Sequence, residues 1–252
     1  MTKVLVFGGL DERGSVVTDY LLLQGVEVTT TYIEKDVEAE ERAMIFGRNA
    51  QFDMIALESR KSERWLEAAR ETDAVLFFDS LLYENLDETL VQLDNCLSHL
   101  PKLEKIILLS HLEIYGERTG VIDEEKLVEP ITQVGKRADH IERSFIETLL
   151  NKKNETVVKE LIILRVPDLY CDANGQKRQI LQNNEALHVK DLAKGIFAAL
   201  TCKLTPGIHV IQLTSGQEFK HKDAKICYPY EKAEQLLTFK PEHTLNTLNR
   251  RK

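Results

Sequence analysis

Three glycines and one carboxylate lie close together near the start of the chain. The apolar run Val4–Phe7 stops at Gly8, and Gly9, Asp11 and Gly14 follow before a helical pattern begins. Free N–H groups at a helix N-terminus attract anions, so this layout predicts the phosphate-binding turn of a dinucleotide site. Such a turn normally reads Gly-x-x-Gly-x-x-Gly. Here its middle position is Asp11, which would oppose a phosphate about 4 to 5 Å away by roughly 3 to 4 kcal/mol.

Three further charged residues are candidates for the same site. Glu34 ends the second predicted strand, where an acidic residue binds ribose hydroxyls; an ordinary surface glutamate is the alternative. Asp79 follows the fourth apolar run and adds a negative charge to the crevice. Arg13 could neutralise Asp11 or meet a 2′-phosphate. A surface ion pair, worth under about 1 kcal/mol, explains Arg13 equally well.

The bulk composition excludes several classes of protein. The 252 residues are 43% hydrophobic and 29% charged, which is typical of a globular protein with a full core. A net charge of −8 argues against a nucleic-acid groove. No apolar run is long enough for a membrane span, and the N-terminus lacks the features of a signal peptide, so we expect a cytoplasmic protein without a membrane partner. The four cysteines are far apart and predict no metal site.

The elements that must position these residues alternate along the chain. Strand patterns alternate with segments of helical spacing. The strand patterns are the threonine-rich run 26–33, the run 52–57, and the apolar runs 74–78 and 105–110. The segment 59–71 is amphipathic and turns the single tryptophan to the core. Leucines at steps of four and three from Leu86 to Leu100 predict a long helix whose seam serves the core or a subunit interface.

Four later stretches carry a more specific pattern. They are Ile-Ile-Leu-Leu-Ser-His-Leu-Glu-Ile-Tyr-Gly at 106–116, the strand and Arg165-containing exit at 161–170, Leu-His-Val-Lys-Asp-Leu-Ala at 187–193, and the strand and turn at 207–216. In order and spacing they resemble the extended short-chain dehydrogenase/reductases, the NAD-dependent epimerase/dehydratase family. The resemblance implies a doubly wound, Rossmann-type α/β fold with a mostly parallel sheet of about seven strands. We expect one domain over 1–252, with a small C-terminal lobe from about 205.

The resemblance also implies which catalytic groups to look for. The family uses a Ser or Thr that hydrogen-bonds the substrate, a Tyr that transfers a proton and a Lys one helical turn later. A phenol of pKa about 10 is a poor base unless a cation stabilises the phenolate. Here His111 stands at the Ser position, and superposing Gly135 and Glu142 on the family pattern puts Val134 at the Tyr position and Ala138 at the Lys position. Neither residue can carry a proton or a charge.

Two residues are candidates to replace the missing groups. His111 is titratable and would lie at the carboxyl end of a strand near the topological switch point, where such sheets bind ligands. A hydrogen-bonded structural histidine is the alternative. Tyr115 is a weaker candidate, because a tyrosine at that position is normally a packing residue in the family.

The leading hypothesis is a catalytically degenerate member, a pseudoenzyme, that binds a small-molecule or nucleotide-like ligand or a protein partner. NAD or NADP binding would then be weak or lost. The alternative is an active NAD(P)-dependent sugar-nucleotide epimerase, dehydratase or reductase with non-standard catalytic residues, and a third is a structural or regulatory subunit. In the family, two helices pair in a dimeric bundle, so we expect a homodimer through helices 84–100 and 136–150.

Overall fold

The computed structural model describes residues 2–79, 86–152, 158–171, 185–221 and 224–243. The strands in chain order are β1 (Lys3–Phe7), β2 (Glu27–Ile33), β3 (Phe52–Leu57), β4 (Ala74–Phe77), β5 (Lys105–His111), β6 (Gly120–Val121), β7 (Glu160–Val166), β8 (Asp168–Tyr170), β9 (Ala186–His188), β10 (Gly207–Gln212), β11 (Glu218–His221) and β12 (Ala224–Cys227). The helices are α1 (Gly14–Leu23), α2 (Val37–Phe46), α3 (Leu86–His99), α4 (Gln133–Asn151), α5 (Val189–Thr201) and α6 (Glu231–Leu237), with a 3-10 helix at Leu112–Tyr115.

The main sheet has seven strands in the order β3-β2-β1-β4-β5-β7-β10, and every neighbouring pair is parallel. Such a sheet is covered on both faces, which explains the continuous apolar strand runs in the sequence. The strand order reverses between β1 and β4, so the crevice outside their carboxyl ends is the topological switch point. The predicted Rossmann-type doubly wound fold is confirmed.

The core lies on both faces of this sheet, because successive side chains of a strand point to opposite sides. Val4 and Val6 of β1 pack with α1, α2 and α5 on one face. Leu5 and Phe7 pack with α3, α4 and Trp65 on the other. Phe7 lies edge-on to Trp65, with ring centroids 5.3 Å apart. The buried faces of neighbouring helices thus fix the carboxyl end of β1, where the glycine turn begins.

Two sequence expectations about the second face can now be refined. Segment 59–71 forms successive hydrogen-bonded turns and no helix, although Trp65 and Ala69 are fully buried as expected. In the leucine seam, Leu93, Leu97 and Leu100 are core residues, while the two leucines at its start are half-buried against them. The buried leucines of the seam therefore pack within the chain. A helix was expected at 84–100, and residues 84 and 85 lie outside the described part of the chain.

A smaller sheet stands beside the carboxyl ends of the main strands. Its order is β11-β12-β6, with β11 and β12 antiparallel and β12 parallel to the short β6. Strands β8 and β9 form a separate parallel pair next to it. Within the described ranges, no helix is both long and apolar enough to cross a membrane.

Candidate ligand site

The glycine turn is needed by the fold itself. Gly8 has φ +85°, and a Cβ built there would lie 2.5 Å from Cβ of Asp79. A Cβ on Gly9 would lie 2.5 Å from Oγ1 of Thr30, and one on Gly14 would lie 2.0 Å from the carbonyl oxygen of Gly8. Real Cβ atoms do not approach other atoms so closely, so each glycine is required sterically. Their presence is therefore explained without a bound phosphate.

The carboxylate of Asp11 occupies the anion position at the start of α1. The backbone N–H of Gly14 donates to Oδ1 of Asp11, and the N–H of Ser15 donates to its carbonyl oxygen at 2.9 Å. Burial raises the pKa of Asp11, and the nearby charge of Asp79 raises it further, while hydrogen bonds from the backbone N–H groups of Gly14 and Arg13 oppose this change. The orphan N–H groups that would hold a pyrophosphate are thus directed at a side chain of the same protein.

A buried ion pair fills the crevice next to this carboxylate. Nη1 of Arg60 lies 2.5 Å from Oδ2 of Asp79, and the two side chains are only 8% and 4% exposed. Glu88 lies further out, with its Oε2 at 3.8 Å from Nε of Arg60. Gln92 donates from Nε2 to the backbone oxygen of Arg60 at 3.3 Å, which fixes the turn that carries the arginine. The ion pair therefore joins the turn after β3, which carries Arg60, to the end of β4, which carries Asp79, across the switch point.

The space left at the switch point is very small. Between Asp11, Asp79, Arg60 and the ends of β2 and β3, the cleft has a volume of about 50 Å³. Pockets that hold small molecules and cofactors measure roughly 300 to 1,000 Å³. The residues at this site, as folded, do not fit the adenosine and pyrophosphate of a dinucleotide.

The other predicted cofactor residues lie outside this cleft. Glu34 is in an exposed ion pair with Arg64, with Oε1 and Nη1 2.8 Å apart. Arg13 is exposed; its charge opposes the rise in the pKa of Asp11 and adds to the lowering of the pKa of Asp168 by His111. The structure thus brings together Gly8, Asp11 and Asp79, and it places Glu34 on the surface.

A much larger pocket opens at the carboxyl ends of β5 and β7, beneath the small sheet. Its volume is about 450 Å³. Its apolar wall consists of Leu112, Ile131, Pro167, Phe219 and Ile226. The charged or titratable residues around it are His111, Glu113, Glu117, Arg118, Asp168, Glu185 and Tyr228. This volume is within the range of small-molecule sites.

His111 lies in the wall of this pocket, but both of its ring nitrogens face other groups of the chain. Nδ1 accepts a hydrogen bond from the N–H of Glu113 at 3.2 Å, and Nε2 lies 3.6 Å from Oδ1 of Asp168. A neutral imidazole with Nδ1 as acceptor carries its hydrogen on Nε2, which is directed towards Asp168. The interaction with His111 lowers the pKa of Asp168. The pair places a polar, partly buried group at the pocket wall.

Tyr115 lies beneath the pocket in a buried polar network and does not line it. Its hydroxyl oxygen accepts hydrogen bonds from Nη1 of Arg165 and Nε2 of Gln212, each at 2.9 Å. Arg165 also binds both carboxylate oxygens of Glu142, at 2.9 and 2.7 Å, and Ser110 donates to the same carboxylate at 2.5 Å. Burial raises the pKa of Tyr115 despite the adjacent guanidinium. The surroundings thus favour the neutral phenol, which is the opposite of what a tyrosine base requires.

The positions of the missing catalytic pair are apolar in the structure. Ala138 is fully buried against Ile114 and Tyr115. Val134 is half-buried in the first turn of α4 and does not line the pocket. Gly135 brings α4 close to the chain before it, since a Cβ there would lie 2.3 Å from the carbonyl oxygen of Glu113. Helix α4, on which the sequence comparison places Val134 and Ala138, packs closely against the segment before it.

Two residues that shape these sites did not stand out in the sequence. Arg60 lies in a polar, turn-forming segment, where a surface arginine is the ordinary expectation. Glu185 is 6% exposed, lines the large pocket and accepts a hydrogen bond from the N–H of Ser215 at 2.6 Å. Burial raises the pKa of Glu185 to about 7. No group of three or more His, Cys, Asp or Glu residues in the described ranges is arranged to hold a metal ion.

Comparisons with known proteins identify the class of fold. No family model matches the sequence, and no curated protein matches it. Among solved structures, the chain is similar to UDP-glucuronic acid 4-epimerase from Bacillus cereus in complex with NAD, at 18% identity and a TM-score of 0.74 over 97% of this chain and 95% of that one. UDP-glucose 4-epimerase from Bifidobacterium longum in complex with NAD+ and UDP matches at 21% identity and 0.74, over 96% and 94%.

A third solved structure, the yeast methylglyoxal/isovaleraldehyde reductase complexed with NADPH, matches at 13% identity with a TM-score of 0.78, over 98% of this chain and 96% of that one. These neighbours are extended short-chain dehydrogenase/reductases, the family that the four sequence stretches predicted. The chain therefore has the fold of that family over nearly its whole described length.

Proposed function

We propose that this protein is a degenerate form of the extended short-chain dehydrogenase/reductase scaffold that binds a small molecule in the large pocket and does not carry out dinucleotide-dependent redox chemistry. One observation carries the proposal: side chains of the protein itself occupy the dinucleotide position. Asp11 takes the helix N-terminus, and the Arg60–Asp79 pair takes the crevice. The neighbouring pocket, at about 450 Å³, is open to a ligand.

The energies support the same conclusion. Separating a buried ion pair costs about 3 to 5 kcal/mol. A carboxylate about 4 to 5 Å from a phosphate opposes binding by roughly 3 to 4 kcal/mol at an effective dielectric of 20. Together these costs amount to roughly 6 to 9 kcal/mol, and a micromolar dissociation constant corresponds to only about 8 kcal/mol. We therefore expect NAD and NADP to bind weakly or not at all.

Calorimetric titration with NAD, NADH, NADP and NADPH tests the proposal directly. We expect no dissociation constant below about 1 mM, which corresponds to roughly 4 kcal/mol of binding free energy. A submicromolar value for any of the four would refute the proposal. The variant Asp11→Gly restores the third glycine and should strengthen ADP binding relative to wild type. Asp19→Asn, which removes an exposed carboxylate from helix α1 just after the turn, is the matched control and should not strengthen ADP binding.

One observation favours a second candidate, an active NAD(P)-dependent epimerase, dehydratase or reductase with relocated catalytic groups. His111 and Asp168 lie side by side in the wall of the pocket, close to where the family's catalytic serine would be. This alternative requires NAD(P)-coupled turnover that His111→Ala abolishes and His140→Ala, on the exposed face of α4, leaves unchanged. The absence of turnover with sugar nucleotides and simple carbonyl compounds would support the binding protein.

We further propose a cytoplasmic homodimer that pairs through α3 and α4. These two helices pack against each other on one face of the sheet. Val91 of α3 and Leu150 of α4 are 37% and 58% exposed, so each helix presents an apolar side chain to solvent that a second copy could cover. Light scattering at micromolar concentration should give twice the mass of the 28.9 kDa chain. A monomer under these conditions would contradict the proposal.

A further inference from the structure

Among the described residues that line the large pocket, carboxylates outnumber basic side chains. Four carboxylates line it, from Glu113, Glu117, Asp168 and Glu185, and Arg118 is the single lysine or arginine among the described lining residues. Arg118 is in an ion pair with Glu129, with its Nη2 2.9 Å from Oε2 of the glutamate. The described part of the cavity lining therefore offers more carboxylates than basic groups to a ligand.

The carboxylates have specific places around the cavity. Glu185 is nine-tenths buried in the wall, held by the N–H of Ser215. Asp168 lies at the mouth beside His111, and Glu113 accepts a hydrogen bond from the hydroxyl of Thr132. Much of the remaining surface is aliphatic or aromatic, formed by the residues of the apolar wall, and Thr119 and Thr132 add two hydroxyl groups. A ligand that matches these features has a compact apolar body and a positively charged group.

We propose that the large pocket recognises an organic cation, an amine attached to a small apolar body, with Glu185 and Asp168 as the anionic partners of the ammonium group. This inference rests on the proposed function, because it names the ligand class of the same pocket. The diphosphate of a sugar nucleotide would meet the same carboxylates with like charge, and like charges placed together are strongly unfavourable in a partly buried site. The pocket is therefore expected to discriminate against the nucleotide sugars bound by the structural neighbours.

Three probes of nearly equal shape separate charge from size. Benzylamine, benzyl alcohol and benzoate can each be titrated into the ¹⁵N-labelled full-length protein at pH 8 and followed by backbone amide shifts. We expect saturable shifts in the pocket-lining segments 111–119 and 218–228 with benzylamine. Its dissociation constant should be at least tenfold lower than that of benzyl alcohol, and benzoate should produce no saturable shifts. Equal or tighter binding of the neutral or anionic probe, or binding of none of the three, would overturn the inference.

Matched variants exclude a general attraction to an acidic protein. Glu185→Gln removes one charge from the pocket and should weaken benzylamine at least fivefold while leaving benzyl alcohol unchanged. Glu147→Gln removes one charge from the exposed face of α4 and should leave benzylamine unchanged. If Glu185→Gln does not fold, Asp168→Asn at the exposed mouth gives the same comparison. Equal effects of the pocket and surface variants would overturn the inference.

The pH dependence gives an independent measurement. Burial raises the pKa of Glu185 to about 7, so its carboxylate forms mainly between pH 6 and pH 8 and benzylamine should bind more tightly across that range. The other charged or titratable groups that line the pocket are His111, Glu113, Glu117, Arg118, Asp168 and Tyr228. Cys227, at the end of β12, is also close enough for the charge of Glu185 to affect its pKa. Glu185→Gln should remove the part of the dependence that belongs to Glu185. Failure of the underlying proposed function would appear in the dinucleotide titrations, which these probes do not affect.

Discussion

Replacing Arg60 by methionine should destabilise the fold far more than the loss of an ordinary surface arginine. The substitution keeps most of the aliphatic stem but removes the guanidinium, so Asp79 remains as a 4% exposed carboxylate without its partner. The other carboxylate oxygen of Asp79, Oδ1, is buried and has no hydrogen-bond partner in the described chain. Among the described residues, Arg60 is the one ion-pair partner of Asp79, and the substitution removes it.

The size of the effect follows from this burial. Removing one member of a buried ion pair costs about 3 to 5 kcal/mol, a large part of the roughly 5 to 15 kcal/mol by which a typical domain is stable. Removing both charges, in Arg60→Met with Asp79→Asn, should cost less than Arg60→Met alone, because no uncompensated charge remains. Arg64→Met is the matched control. Its ion pair with Glu34 is 56% and 39% exposed, so we expect a loss below about 1 kcal/mol.

Urea unfolding measures these differences through the fluorescence of Trp65, the single tryptophan of the chain, which is fully buried. The reasoning would be refuted if Arg60→Met cost less than about 1 kcal/mol, or if the costs of the two single variants simply added in the double variant. In either case the ion pair would not hold the crevice closed. Titrating the same variants with NAD tests whether loss of the ion pair also makes the small cleft accessible to the dinucleotide.

Three further predictions can be tested by the same unfolding assay. The pKa of Glu185 in the folded protein is about 7, which is above its value in the unfolded chain. Its contribution to folding stability is therefore present below about pH 4.5 and is lost as the pH rises to 7. Relative to Glu185→Gln, the free energy of unfolding of wild type should fall by up to about 3 kcal/mol across this window. Glu142→Gln leaves Arg165 buried without its carboxylate and should cost about 3 to 5 kcal/mol, and a loss under 1 kcal/mol would show that the network is not what holds α4 to β7. Gly135→Ala should cost about 1 to 3 kcal/mol through its contact with a backbone oxygen, whereas Gly47→Ala, with no atom closer than 3.7 Å, should change stability little.

The centre of the sheet could be predicted from the sequence because strands β1, β4, β5 and β7 are buried on both faces and are therefore apolar at most positions. The turn after β1 could also be predicted, because its glycines occupy positions where the backbone leaves no room for a side chain. The amphipathic segment around Trp65 forms turns and not a helix. Its apolar residues do reach the core, but the chain reaches it through turns, and apolar spacing alone does not distinguish the two over so short a segment.

The candidate site was only partly predictable. Asp11 and Asp79 were identified because they replace residues of a known pattern at positions fixed by strand ends. Arg60 and Glu185 follow no pattern, since their burial depends on the path of connecting segments that no local periodicity encodes. The partners of the His111 ring could not be predicted either, because they depend on which groups the turns after β5 and β7 place next to it. Charge pairing across distant segments is a property of the folded chain.

Asp11 has a consequence for how the protein behaves during dilution, starvation or purification. Proteins that hold a soluble cofactor gain stability from it by mass action, and they lose that gain when its concentration falls. The anion at the start of α1 is covalently part of the polypeptide, so it is present at every concentration and does not dissociate. The melting temperature of this chain should therefore not depend on the supply of nicotinamide nucleotides, and prolonged dialysis should leave it unchanged.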